Sequence, residues 1–222
     1  AFTADIEFVT IASTGNAIDF GVDLSSTRGG MAGASNGTRG IFAGGYNPTV
    51  VDTVEYLTIQ STGVVVNDFG TLSFDRQHPT SLCSSTRGVF AGGRNHPAYY
   101  NAIEFVTMST LGNTSDFGDL TVARAMSTQG ITSNSVRGII MGGYASTAYN
   151  ATIDYISIAA LGNALDFGDL SSARGNGAGA ASPTRCVMMG GVEPGYVVTM
   201  EYVQIMTTGD AVDFGDLNTT ST

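Results

Sequence analysis

Apolar and polar positions fall into short blocks along this chain, and the blocks recur. From Arg76 to Leu120, the segment HPTSLCSS predicts a short strand, here strand A, that ends in a serine-rich turn. TRGVFAGG predicts strand B, β-branched and aromatic in its middle and closed by two glycines. NAIEFVTM predicts strand C, whose apolar residues surround a lone Glu104. STLGNTSDFGDL holds a Gly-Asn turn and then strand D. Each block is short, rich in Val, Ile, Phe, Tyr and Thr, and bounded by Gly, Ser, Asn or Asp, as strands and their turns are. No stretch sustains the spacing of an amphipathic helix, so the chain reads as all-β.

The blocks return with a period near 48 residues. Gly44-Gly45 recurs as Gly92-Gly93, Gly142-Gly143 and Gly190-Gly191, and the triplet Asp19-Phe20-Gly21 recurs at Asp68, Asp116, Asp166 and Asp213. Such a unit cannot bury its own apolar faces and must stack on copies of itself. Four short antiparallel strands per unit, stacked radially, describe a β-propeller of four-stranded blades. Burial on both faces explains why strands B and C are apolar nearly throughout. Strands A and B occur four times, beginning near Arg28, Arg76, Arg124 and Arg174, whereas C and D occur five times. The expected single domain therefore has a half blade over 1–24 and full units over 25–73, 74–121, 122–170 and 171–218.

The surplus C–D pair leaves three ways to close the ring. The chain is a piece of a longer protein, in which roughly 25 further residues complete a fifth blade at this spacing. Or four blades close and the first pair extends an edge. Or the pair docks on another chain, because an uncovered edge invites pairing. The first is the favoured expectation. A start at Ala1 without Met or a signal-peptide pattern fits a processed or excerpted chain.

Apolar residues before Gly-Gly, an upstream Arg and a downstream aromatic resemble the kelch repeat, although kelch units carry a Trp and this chain has none. The Phe of the Asp-Phe-Gly triplet is expected to take that packing role. STRGVFAGG, IEFVTI and LGNALDFGDL more specifically resemble the kelch-like repeats of bacteriophage tail-fibre and virion proteins. The resemblance covers essentially the whole chain. It implies a virion or extracellular location, other virion proteins as partners and a homo-oligomeric parent assembly.

Composition narrows the chemistry. The chain has 222 residues, 42% of them hydrophobic and 13% charged. No apolar run approaches the ~18 residues of a membrane span, so no membrane insertion is expected. With 9 basic and 19 acidic residues, net −10, it lacks the clustered cations that a nucleic acid demands. Cys83 and Cys186 occupy different repeat positions and form no periodic disulfide framework.

The Asp-Phe-Gly triplets lack the glycine-rich loop, strand lysine and catalytic loop of a kinase. Repeated in every unit, they read as structure, with Asp and Gly shaping a turn and Phe packing between units. A second carboxylate follows at Asp23, Asp119, Asp169 and Asp216. It reads as capping, with calcium the minor alternative, because a calcium site takes six or more oxygens. Eight of nine arginines occupy two repeat positions: Arg28, Arg76, Arg124 and Arg174 before strand A, and Arg39, Arg87, Arg137 and Arg185 before strand B. Strand C carries Glu7, Glu55, Glu104, Asp154 and Glu201 in apolar surroundings, where a carboxylate needs a partner. One arginine series is expected to pair with it. His78 and His96 are the only histidines, and no catalytic constellation or cofactor motif stands out, so the expectation is a non-enzyme without a cofactor.

The units form a small internal alignment. Their A–B and C–D turns barely vary, whereas the B–C connections YNPTVVD, RNHPAYYN, YASTAYNA and VEPGYVVT diverge. In an up-and-down blade the B–C and D–A connections share one end, where diversified loops on a rigid scaffold place binding. The candidate ligand-binding residues are Tyr46, Asn47, Arg94, Asn95, His96, Tyr99, Tyr100, Tyr144, Tyr149, Asn150 and Tyr196. Tyr supplies stiff, amphipathic contact area, and the expected ligand is a host-surface glycan or protein. The competing expectations are surface loops whose tyrosines merely pack over strand ends in a purely structural virion domain, or a bacterial adhesin.

Overall fold

The structure is a computed structural model and describes residues 2–126 and 132–219. Among them no helix is present, and the strands form a series of antiparallel sheets. The first sheet pairs Asp5–Phe8 with Ile18–Asp23. The second orders Ala32–Ser35, Arg39–Ala43, Thr53–Thr58 and Asn67–Thr71 side by side. The third repeats the pattern with Thr80–Cys83, Arg87–Ala91, Ala102–Thr107 and Ser115–Asp119. The fourth contains Arg137–Met141, Thr152–Ser157 and Leu165–Asp169. Most of the strand A expected after Arg124 falls on residues 127–131, outside the described part. The fifth sheet holds Ala178–Ala181, Arg185–Met189, Thr199–Gln204 and Val212–Asp216.

Strand D carries a bulge wherever it pairs. Ile103 faces Gly118 but Glu104 faces Asp116, which leaves Phe117 out of register. The same shift recurs beside Phe69, Phe167 and Phe214. An extra residue bends a strand and re-aims its side chain. Here it is the triplet phenylalanine, which meets the strand C aromatic edge-on, as in Phe105–Phe117 at 6.0 Å and 80°. The triplet aspartate caps this bend, as where Asp68 Oδ1 accepts the Gly70 N–H at 3.0 Å.

Each hydrophobic cluster spans two consecutive sheets. Ile41, Ala43, Val54 and Phe69 of the second sheet pack with Phe90, Val106 and Met108 of the third. Ile103, Phe117 and Leu120 of the third meet Ile140, Ile156 and Ile158 of the fourth. Ile153 and Phe167 of the fourth meet Met188, Val203 and Ile205 of the fifth. Alternate strand residues thus face the following sheet or the preceding one, and both sets are apolar because both faces are covered.

Hydrogen bonds repeat at the same joints. The N–H of the C–D turn glycine donates to the triplet phenylalanine carbonyl of the preceding sheet: Gly63 to Phe20, Gly112 to Phe69, Gly162 to Phe117 and Gly209 to Phe167, at 2.7–2.9 Å. The second glycine of the first three pairs, Gly45, Gly93 and Gly143, does the same for the next arginine backbone, with Gly93 donating to the Arg124 carbonyl at 2.9 Å. Gly92, at φ +65°, explains the pair itself, because a Cβ there meets the Arg124 carbonyl oxygen at 2.4 Å.

The expected ion pairs are present and buried. Arg28 pairs with Glu55, Arg76 with Glu104, Arg124 with Asp154 at 3.0 Å, and Arg174 with Glu201 at 2.5 Å. Each acid also accepts a backbone N–H from the lead-in segment, as Glu104 does from Ser73 at 3.0 Å. Burial pulls the Arg76 guanidinium down to about 10, and lowers Arg124 while Asp154 pulls it back up. Glu7 departs from the expectation: it is exposed and makes no ion pair with a described residue. The second arginine series instead stacks on the strand C ring, with Arg87 at 4.7 Å from the Phe105 centroid. It also reaches the next sheet, where Arg87 Nη1 donates to the Ile158 carbonyl at 2.8 Å. Both cysteines are free: Cys186 is buried, which pushes its thiol up to about 12, and Cys83 is half-buried.

Candidate functional site

The variable B–C connections contain short ribbons. Arg94–Asn95 pairs with Ala98–Tyr99, Tyr144–Ala145 with Ala148–Tyr149, and Val192–Glu193 with Gly195–Tyr196. In the second sheet the same place is held by a bridge between Tyr46 and Val50. Every ribbon is tied to the segment leading into strand A, through Gly29–Tyr46, Gln77–Arg94, Ala125–Tyr144 and Gly175–Val192. The B–C and D–A connections therefore share one end of the sheets, as expected.

Beneath the ribbons runs a backbone ladder. His78 N–H donates to the Gly30 carbonyl at 2.7 Å, Met126 N–H to that of His78 at 3.3 Å, and Asn176 N–H to that of Met126 at 2.8 Å. All four residues adopt left-handed φ between 56° and 68°, which lets each turn its carbonyl toward the next unit. The ladder links four units at the ribbon end and fixes the spacing of the ribbons above it.

Four of the candidate residues come together. Tyr144 lies 6.0 Å from Tyr99 and 5.1 Å from Tyr149, measured between ring centroids, so three rings bridge two neighbouring ribbons. Arg94 Nη1 donates to the Tyr99 hydroxyl at 3.3 Å. Arg94 is the ninth arginine, outside both repeat series, and has no carboxylate partner among the described residues. It also lies close enough to His78 to disfavour a second cation: burial first, and then Arg94, hold the His78 imidazole below its ordinary value.

The other candidates lie apart from this cluster. Tyr100 stacks on Phe74 at 5.2 Å, and Tyr46 meets Phe2 edge-on at 6.3 Å. Asn47 spends its amide on the Thr27 carbonyl and hydroxyl, and Asn150 Oδ1 accepts the Thr152 N–H. Asn95 is held in its ribbon opposite Ala98, His96 is exposed at the ribbon tip, and Tyr196 is exposed at the third ribbon. Phe2 and Phe74 join the aromatic surface without having been singled out from the sequence. The signal for Phe74 was available, because it belongs to a D–A connection that shares the ribbon end.

Chemically, this surface offers ring faces, hydroxyl tips and one cation. No group of three or more His, Cys, Asp or Glu side chains suited to a metal occurs among the described residues. Neither a protein-family model nor a curated protein matches the chain.

Proposed function

We propose that this chain is a kelch-like β-propeller whose successive sheets are blades, and that it acts as a non-enzymatic virion appendage. Its ribbon end recognises a host-surface glycan or protein. Sheets of like construction packed face to face in chain order support the blade assignment. The phage-like wording of the repeats supports the virion context.

One observation carries the binding surface. The three tyrosine rings and Arg94 converge across two ribbons whose sequences differ, on sheets whose turns at the other end scarcely change. Aromatic faces stack against sugar rings while hydroxyl and guanidinium groups meet sugar oxygens, and Tyr gives this contact at little entropic cost. Binding of the chain to a glycan array and to intact bacterial cells tests the idea. The double substitution Tyr99→Ala with Tyr144→Ala is expected to lower binding at least tenfold, a loss of about 1.4 kcal/mol. Unchanged binding removes the ribbon surface from the function.

A second reading has its own support. The Asn47 and Asn150 amides are engaged in holding their loops, and Tyr100 stacks on Phe74. These are the contacts of a purely structural virion domain. Absence of binding to every cell and glycan tested, with the fold intact, favours it.

A further inference from the structure

We propose that the ligand of the ribbon end is a sugar carrying one carboxylate, which the Arg94 guanidinium holds while Tyr99, Tyr144 and Tyr149 pack against the pyranose ring. The proposal rests on the ribbon reading above and adds to it the charge of the ligand.

Arg94 is the one strong cation that the fold leaves unassigned. The nine basic residues are all arginines. Four are buried in ion pairs with the strand C acids. Four more stand over strand C rings, 4.3–4.7 Å from the centroids. Arg94 belongs to neither set. Its side chain donates to the neutral Tyr99 hydroxyl and has no carboxylate partner among the described residues. Its Nε is closed off from solvent and makes no hydrogen bond. A guanidinium already stripped of water on one side, and paired with no acid, gains from an arriving anion without dehydrating that nitrogen again. The neighbouring imidazole reports the same field: burial first, and then Arg94, hold His78 below its ordinary value, and no carboxylate counters them.

The site arises by exchange at a repeated position. The residue after the double glycine is Tyr46, Arg94, Tyr144 and Val192 in successive units. Register sets Arg94 opposite Tyr99, and Tyr144 opposite Tyr149 in the next ribbon. Tyr144, 6.0 Å from Tyr99 and 5.1 Å from Tyr149, joins the two pairs. One cation therefore stands beside three rings, all of them half-buried. Because Arg94 Nη1 donates to the Tyr99 oxygen, Tyr99 keeps its own O–H proton for a ligand oxygen, and Nη2 is left for a second.

These groups select among anions. A planar guanidinium matches a carboxylate through two parallel bonds. Ring faces and hydroxyl tips suit the carbon face and hydroxyls of a pyranose, which an acidic peptide side chain lacks. A densely charged polymer is disfavoured, since the chain carries net −10 and the site neutralises a single charge. What fits is an isolated acidic sugar, such as a uronic acid, set among neutral ones.

A glycan array tests this with uronic-acid and ulosonic-acid oligosaccharides, each printed beside its counterpart in which the carboxyl is reduced to a hydroxymethyl group. A heparin oligosaccharide and a glutamate-rich peptide complete the probes. The chain is expected to bind at least one acidic oligosaccharide about tenfold more tightly than its reduced counterpart, the scale of a hydrogen bond to a charged group. Arg94→Gln is expected to bring the two to the same level. Arg94→Lys should keep part of the preference, because it retains the charge and loses the planar fork, and that partial rescue shows the ribbon to be intact. Equal binding of acidic and reduced probes, abolished by Tyr99→Ala with Tyr144→Ala, overturns the charge assignment and leaves the ribbon surface standing. A preference for acid that survives Arg94→Gln overturns it as well. So does tightest binding by heparin or the peptide, or no binding to any acidic oligosaccharide. Binding that none of these substitutions alters removes the ribbon surface itself.

Discussion

The third and fifth sheets are built from the same four strands, yet only the third is covered on both faces. Val89 and Ala91 are buried by the fourth sheet, whereas their counterparts Val187 and Met189 are only partly buried. Phe117 is 3% exposed and Phe214 51%. On the opposite, backward side the two sheets are alike: Glu104 and Glu201 are both buried, each paired with an arginine from the preceding lead-in. Repeated sequence therefore specifies what a unit offers, and the neighbour decides how much of the offer becomes stability.

Paired substitutions sharpen this comparison, and the largest effect is expected at the phenylalanines. Phe117→Ala should cost about 3–5 kcal/mol, because it empties a closed joint. Phe214→Ala should cost about 1 kcal/mol, the worth of its edge-to-face contact with Tyr202 at 5.9 Å. Urea denaturation at low protein concentration measures both. Equal losses would break the claim that the fifth sheet is uncovered.

The acids test the side on which the sheets agree. Glu104→Ala and Glu201→Ala should each cost about 3 kcal/mol, because each strands a buried guanidinium. Glu7→Ala, at the exposed copy of this position, should stay within about 0.5 kcal/mol. A loss below about half a kcal/mol for Glu104→Ala would end the case for the pair as a stabilising joint.

Much of this was legible from local chemistry. Strands A to D follow from apolar blocks closed by Gly, Ser and Asn. A carboxylate set among apolar residues demanded an arginine, although the sequence left open which series. That choice rests on the lead-in segment, which places Arg76 rather than Arg87 against Glu104. The ribbons went unseen because two-residue strands such as Ala98–Tyr99 carry no periodicity. Nor could spacing separate Tyr99 and Tyr144, which meet across two units, from Tyr100, which stacks on Phe74. The bare face at Phe214 was hidden for a related reason. Its triplet reads like the other four, and burial is a property of the neighbour.

The smallest expected effect lies in the ladder beneath the ribbons, where equivalent positions hold different residues. His78 and Asn176 share a left-handed backbone, at φ 56° and 57°, and both donate to the preceding rung. Only His78 titrates near neutral pH. Burial and the nearby Arg94 disfavour its imidazolium, so the folded chain takes up a proton less readily than the unfolded one. The stability that His78 allows is therefore complete above its ordinary value of 6.5 and is lost as acidification carries it through the lowered folded value. His78→Asn keeps the rung, because Asn tolerates this backbone, and removes the titration. Near pH 8 the variant and wild type should differ by no more than about 0.5 kcal/mol. Between roughly pH 7 and pH 5 the wild type should lose stability faster than the variant in parallel urea titrations. Superimposable pH profiles would mean that the imidazole is charged as easily in the fold as in the unfolded chain, and that Arg94 exerts no field on the ladder.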